Sequence, residues 1–506
     1  MSYEKAGLNP YLPSGEYIPD GEPHVFGDRI YVYGSHDQAN GTEFCQKDYV
    51  VWSAPVDDLS DWSNRGISYR KKQDPFNQGK YTNNMWAPDA CRGADGRYYL
   101  YYCLEFVPQI SIAVSDNPDG PFEFYDYVRY KDGSIYNKNL PFDPGILYED
   151  REHIYLYTGF GCQKLPDDFS VEVLKEMPQF QEMSEEALQK MFRQIQLLKN
   201  PSQYASCLQL SDDMKTIIKE NDQLIPSLYT AKQTSFEEHP FFEASSIRKI
   251  KERYYFVYSS LQGHELCYAT SRYPDKDFSF GGVIISNMDI GFEGNDQPLA
   301  YGGNNHGGLV QIKGEWYIFY HRHTHANQFS RQGCAEKINI CQDGSIPQVE
   351  MTSYGLYGKP LPATNKYSTR IACHLMGPRG ASFINQDGMP KDTPYITEEK
   401  DENQKINNFV TNLNSGAVFG IKYLSFNGET HLRLRAKGKG KINFILHNFN
   451  DKAITSIDID SENWKDYTAT FSPISGIAAI YFRTDQISKP ISVLDFYFEK
   501  LEDNPL

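Results

Sequence analysis

One motif recurs five times along this 506-residue chain, and it restricts the fold more than any other feature. A polar turn leads into an aromatic-rich run at Asp28–Tyr33 (Asp-Arg-Ile-Tyr-Val-Tyr), Gly96–Tyr101, Glu152–Tyr157, Glu252–Tyr258 and Gly314–Tyr320. Aromatic and β-branched residues that follow a Gly, Asp, Glu or Lys turn read as the second strand of a hairpin. Neighbouring copies lie about 56 to 100 residues apart, enough for a four-stranded blade with its loops. Repeats of this length point to a propeller or a solenoid. Five copies predict five four-stranded blades.

A second regularity sits upstream of each copy. Asp20 lies 11 residues before Tyr31, Pro88 lies 11 before Tyr99, and His306 lies 11 before Tyr317. Asp143 lies 12 before Tyr155, and Glu243 lies 12 before Tyr255. These positions open the first strand of each blade, which in a propeller lines the central channel. Four of the five carry an ionisable residue, so those groups are expected to converge at one end of the channel.

Two stretches break the pattern. From about Leu165 to Asn200 the sequence turns helical, with Ser184 as an N-cap and Ala187, Leu188, Met191 and Phe192 at helical spacing. This reads as a helical hairpin on a blade loop, more a packing decoration than a lid. The repeats end near Met351, a Gly/Pro/Thr/Ser-rich connector covers 356–369, and short alternating strands such as His431–Ala436 follow. The expected division is therefore a propeller over 1–355, a linker over 356–369 and a β-sandwich over 370–506: an all-β chain with a small helical insertion.

Composition narrows the partners. The formal charge of −16 argues against a nucleic-acid surface, an anionic membrane or a polyanionic substrate and suits a neutral one. No apolar run approaches the roughly 20 residues of a transmembrane helix. Met1–Gly7 has no apolar core of a secretory signal. The nine cysteines are scattered, with no Cys-x-x-Cys pair, and read as buried thiols of a reducing compartment. The expected location is the cytoplasm.

Asp20, Asp143 and Glu243 are three carboxyls at matched repeat positions. Cleaving a glycosidic bond needs one protonated carboxyl to donate to the leaving oxygen and one ionised carboxylate to activate water or attack carbon. Crowding three in one funnel splits their proton affinities. Glu243 has the longer reach suited to an acid. His321, His323 and His325 alternate along one run and read as a polar rim in preference to a metal site. Trp86 is either core or a sugar-stacking surface.

At these residues the chain resembles family 43 glycoside hydrolases. Asp20-Gly21-Glu22-Pro23 with Tyr31–Asp37 is similar to that family's N-terminal base motif. Phe142-Asp143-Pro144-Gly145 is similar to its second-Asp motif, Phe242-Glu243-Ala244-Ser245 to its general-acid motif, and Asn305-His306-Gly307-Gly308 to its fifth-blade His motif. The resemblance implies that Asp20 is the base, Glu243 the acid, and Asp143 a tuning carboxylate. It also implies that Arg331 reaches substrate and that Trp86 belongs to the sugar-binding wall. His306 would hold a metal through water, so a structural calcium at the propeller axis is possible, with no cofactor required. The implied activity is inverting, exo-acting removal of α-L-arabinofuranosyl or β-D-xylosyl units from plant oligosaccharides. The alternatives are an endo-acting arabinanase of the same family, a fructan-type five-bladed hydrolase and a non-catalytic propeller lectin. The C-terminal part resembles family 6 carbohydrate-binding modules through Trp464–Tyr467 and Val493–Tyr497; Ile371–His374 stands where such modules carry Ile-Glu-Ala-Glu.

Overall fold

The structure, a computed structural model, describes residues 7–79, 82–176, 185, 188–189, 192, 195–384 and 389–500. Five antiparallel sheets follow one another along the first two thirds of the chain. Blade one comprises β1 (Glu22–Phe26), β2 (Arg29–Tyr33), β3 (Trp52–Pro55) and β4 (Ser63–Asn64). Blade two comprises β5 (Met85–Arg92), β6 (Tyr98–Leu104), β7 (Ile110–Ser115) and β8 (Glu123–Tyr127). Blade three comprises β9 (Gly145–Asp150), β10 (His153–Thr158), β11 (Tyr204–Leu210) and β12 (Ile217–Pro226). Blade four comprises β13 (Phe241–Ile250), β14 (Arg253–Ser260), β15 (Glu265–Ser271) and β16 (Ser279–Ser286). Blade five comprises β17 (Leu309–Ile312), β18 (Glu315–His323) and β19 (Arg331–Ile338). Every copy of the repeated motif is the second strand of its blade, as its turn chemistry predicts. Blade five departs from the expected four strands: among the described residues its sheet has three.

The ring closes because each blade shares a core with the next. The tyrosines of β2 pack with those of β6 in one buried cluster, and β6 with β10 in another. Further clusters join β10 to β14, β14 to β18, and β18 back to β2. Five seams for five blades make a closed propeller. Burying one such large side chain contributes roughly 1.5–3 kcal/mol. The Tyr hydroxyls need partners in these seams and find them in the next blade. Tyr33 donates to Pro118 O (2.6 Å), Tyr101 to Met214 O (2.6 Å) and Tyr157 to Pro274 O (2.7 Å). At closure, Gly21 before β1 pairs in parallel with Gly307 before β17.

The insertion between β10 and β11 contains a short helix, α1 (Val171–Glu176), and a 3-10 turn at Gln196–Lys199. Ser184 and most of the second expected helix lie outside the described residues. Val171, Leu174, Leu188 and Ile195 form its own small core, against which Phe106 packs.

The C-terminal residues form a single curled seven-stranded sheet. The long strand Val418–Leu446 is bordered on both edges by Thr455–Glu499: Leu432 pairs with both Ala469 and Phe498. Alternate residues such as Leu432, Leu434 and Ala436 point into one core shared with Phe482 and Phe496. The alternation read from the sequence thus gives a sandwich-like interior from one continuous sheet. Within the expected connector, Leu361–Pro362 and Tyr367–Ser368 are themselves hydrogen-bonded into this sheet. The sheet is joined to the propeller by buried polar contacts. Arg322 Nη1 donates to Ala372 O (3.1 Å), and His374 Nε2 lies 3.0 Å from Asp289 Oδ2. The cysteines are all free; Cys341 is half-buried and the other eight are buried. No helix among the described residues is long and apolar enough to cross a membrane.

Candidate active site

Local backbone geometry turns the predicted carboxyls inward. Asp20 and Asp143 sit immediately ahead of β1 and β9 with φ of 57° and 45°, and Ala244, beside Glu243, has φ of 68°. Left-handed φ is uncommon outside Gly, and such strain clusters at functional sites. The β13–β14 register also shifts on either side of Glu243, a bulge that re-aims its side chain. Gly145 explains how blades three and four approach here: a Cβ at this position would lie 2.3 Å from Ser245 O.

The three carboxyls are buried together at the channel mouth, with residue exposures of 4% for Asp20, 3% for Asp143 and 9% for Glu243. They differ in what surrounds them. Asp20 Oδ1 accepts from Arg331 Nη1 (2.9 Å). Burial works to raise this carboxyl, but the Arg331 guanidinium outweighs it and holds Asp20 well below the usual carboxylate range. Glu243 has no such cation beside it. Burial, reinforced by the negative charges of Asp143 and Asp20, pushes Glu243 well above its ordinary value. Asp143 Oδ2 accepts from the Ala244 N–H (3.2 Å) and lies 3.4 Å from His306 Nδ1. Burial raises Asp143 against the pull of His306. The His306 ring itself is lowered by burial but raised more by Asp143, to about 9. The site therefore holds an ionised carboxylate at Asp20 and a proton-retaining carboxyl at Glu243, with Asp143 linking Glu243's strand to His306.

Arg331 is not open to the channel. It is 2% exposed and saturated from below: Nε and Nη2 donate to Asp37 Oδ2 (2.9 Å) and Oδ1 (3.1 Å). In the site it contacts Asp20, so in this structure it orients the candidate base instead of reaching out toward substrate. The three histidines read as a polar rim are also buried, with exposures of 0%, 6% and 0% for His321, His323 and His325. His321 is kept neutral by burial; its Nε2–H donates to Asn304 O (2.8 Å), and its Nδ1 accepts from the Asp20 backbone N–H (3.2 Å). That tautomer fixes the strained Asp20 backbone.

Trp86 stands on β5, half-buried, at the end of a run of aromatic rings. Its ring centroid is 5.2 Å from Phe142, which stacks on Phe160 at 4.5 Å, and Phe160 lies 5.2 Å from Phe242, the neighbour of Glu243. Trp86 Nε1 is buried without a hydrogen-bond partner among the described residues. Leu198 of the insertion lines one small cavity with Phe106, Phe142 and Phe160, so the insertion adjoins this wall. Sequence reasoning passed over the wall's Phe160 and the two groups beneath the site, Asp37 and Glu22. Glu22 Oε2 accepts from Arg248 Nη2 (2.9 Å) and Ser246 Oγ (3.1 Å), tying blade one to blade four across the channel. Beside it, His24 Nε2 lies 2.6 Å from Asp89 Oδ1. Among the described residues, the groups able to converge on a metal ion are Glu22, His24 and Asp89, and separately His239, Glu265 and Cys267.

Residues 17–179 match the family model described as Glycosyl hydrolases family 43. A protein named xylosidase/arabinosidase from Thermoclostridium stercorarium is 43% identical over 490 residues, covering 94% of this chain and 96% of its own length. A xylosidase/arabinosidase from Bacteroides ovatus is 30% identical over 329 residues, covering 62% of this chain and 87% of its own. Among solved structures, a family 43 enzyme from Xanthomonas citri is similar with a TM-score of 0.50 at 22% identity, covering 68% of this chain and 93% of its own, a likeness of fold.

Proposed function

Because the chain belongs to glycoside hydrolase family 43, we propose that its propeller removes terminal α-L-arabinofuranosyl or β-D-xylosyl units from xylan, arabinoxylan or arabinan oligosaccharides. The observation that carries this reading is the split between two carboxyls in one buried mouth: Asp20 held low, Glu243 held high. Asp20 takes a proton from water as the water attacks the anomeric carbon, and Glu243 gives its proton to the departing glycosidic oxygen. Asp143 raises the proton affinity of Glu243 and holds the Ala244 amide next to it, while the Trp86–Phe142–Phe160 wall supplies apolar faces for a sugar ring. The two relatives' names, both pairing xylosidase with arabinosidase, support a pentoside substrate. A neutral oligosaccharide also suits a chain at −16.

Calcium at the propeller axis belongs to the same proposal. Glu22 Oε1 is buried with no partner among the described residues, and Glu22 and Asp89 are oxygen donors of the kind a hard cation takes. They would hold the ion, and His306 would meet it through water. Its chemistry would be positive charge that orders the channel floor. Sugar binding by the curled C-terminal sheet belongs to the same proposal and rests on its resemblance to family 6 carbohydrate-binding modules. The buried unpaired thiols favour a reducing compartment, where imported short oligosaccharides would be the supply.

The test is turnover of nitrophenyl α-L-arabinofuranoside and β-D-xylopyranoside, with proton NMR of the first-formed sugar. Hydrolysis of either with inverted anomeric configuration is expected. Inactivity on both, with binding retained, would instead indicate a lectin.

A further inference from the structure

The segment ahead of Asp20 is held by the C-terminal sheet. Arg370 Nη1 donates to Leu12 O (3.1 Å), and Asn408 Oδ1 accepts from the Gly15 N–H (3.1 Å). Tyr17 is 0% exposed, and its hydroxyl donates to Glu398 Oε2 (2.6 Å) on the strand Tyr395–Lys400. Since that hydroxyl has one proton, it accepts from the other two neighbours, His325 Nε2 (3.0 Å) and Asn408 Nδ2 (3.3 Å). Next to this contact, the Ile396 N–H donates to Thr324 O (2.7 Å), one residue beyond His323.

From Tyr17 a continuous chain of bonds leads to the site. Tyr17 O accepts from the Asp37 N–H (3.0 Å). The Asp37 carboxylate accepts from the Arg331 backbone N–H (3.0 Å) and from its guanidinium. Arg331 Nη1 then donates to Asp20 Oδ1. Each link is buried, where a hydrogen bond is strong and an unmade one costly. We infer that Tyr17 and Glu398 are positioning residues for the reaction, bracing the Asp37–Arg331–Asp20 chain from the C-terminal sheet. The sheet is then part of the catalytic apparatus, whatever sugar it binds elsewhere. This rests on the reading of Asp20 as the base.

The brace predicts effects that mere stabilisation does not produce. If the brace slackens, Arg331 is no longer held against Asp20, and the candidate base loses its orientation while substrate contacts remain. The experiment compares full-length Tyr17→Phe, Glu398→Ala, Glu398→Gln and Asp20→Ala on nitrophenyl pentosides, with circular dichroism confirming the fold. Tyr17→Phe and Glu398→Ala are expected to lower kcat about tenfold with KM changed less than about twofold, since sub-ångström misplacement of a reacting group has effects of this order. Glu398→Gln recovers most of kcat, because its amide oxygen still accepts from Tyr17. Glu398→Ala tests the inference even if Tyr17→Phe does not fold, because Glu398 is only half-buried. Wild-type kcat in Glu398→Ala, with Asp20→Ala inactive, would overturn the brace alone. Wild-type turnover by Asp20→Ala would overturn the assignment of the base.

Discussion

Replacing Arg331 with Met removes a guanidinium from between two buried carboxylates. Asp20 is 4% exposed, Asp37 0% and Arg331 itself 2%, so water does little to screen what is lost. Four side-chain hydrogen bonds go with it: two to Asp37, one to Asp20 and a weak one to the Cys45 sulfur. Removing one partner of a buried ion pair destabilises by about 3–5 kcal/mol, because the remaining charge stays desolvated. Met keeps most of the volume, so cavity formation adds little. The pH dependence has a definite sign. In the native protein Asp20 lies below its unfolded value of about 3.9, so its contribution to stability is present above that pH and is lost as pH falls through the lower folded value. Without Arg331, burial pushes Asp20 the other way. The deficit of the variant is therefore largest near neutrality and narrows below about pH 4. Urea unfolding followed by tryptophan fluorescence, at several pH values, measures this directly. An unchanged midpoint at pH 7, or a deficit that grows on acidification, would refute the account.

Other outcomes follow from the same site. Glu243→Ala should lose about 10²- to 10⁴-fold on natural oligosaccharides but much less on substrates with strongly acidic leaving groups, which need no proton; equal losses across a leaving-group series would remove Glu243 as the acid. Asp143→Asn takes away a negative charge that raises Glu243, so the basic limb of the kcat/KM profile should move to lower pH, and an unmoved limb would count against Asp143. Xylo- and arabino-oligosaccharides should release monosaccharide alone; early mixed-length products from linear arabinan would point to the endo mode.

Much of this was legible in the sequence for a simple reason: a propeller repeats one strand environment. The Tyr-rich second strands sit at equivalent seams, so their pattern announced five blades, and counting back from Tyr31, Tyr155 and Tyr255 found Asp20, Asp143 and Glu243. What escaped was set by neighbours distant in the chain. His321 and His325 alternate like an exposed strand, yet the C-terminal sheet and the Asn304 segment cover them. Arg331 is a polar residue after a loop, and only the fold brings Asp37 beneath it, 294 residues away. Among the described residues blade five has three strands, a departure that no local signal announces. Asp37 offered one clue, standing at the end of the first repeat within the quoted run Tyr31–Asp37.

The pairing of Gly21 with Gly307 has a consequence for when the enzyme comes into being. Asp20 and Arg331 are 311 residues apart, so the base is made early in translation and its guanidinium late. At ribosomal rates of about 5–20 residues per second, roughly 15–60 s separate them. During that interval the blade-one edge and the floor of the channel have no closing partner, and the emerging chain carries a carboxylate destined for burial beside nothing. Glu398 and the rest of the brace arrive later still. Chains that end before Arg331 therefore carry the candidate base without the guanidinium that holds it.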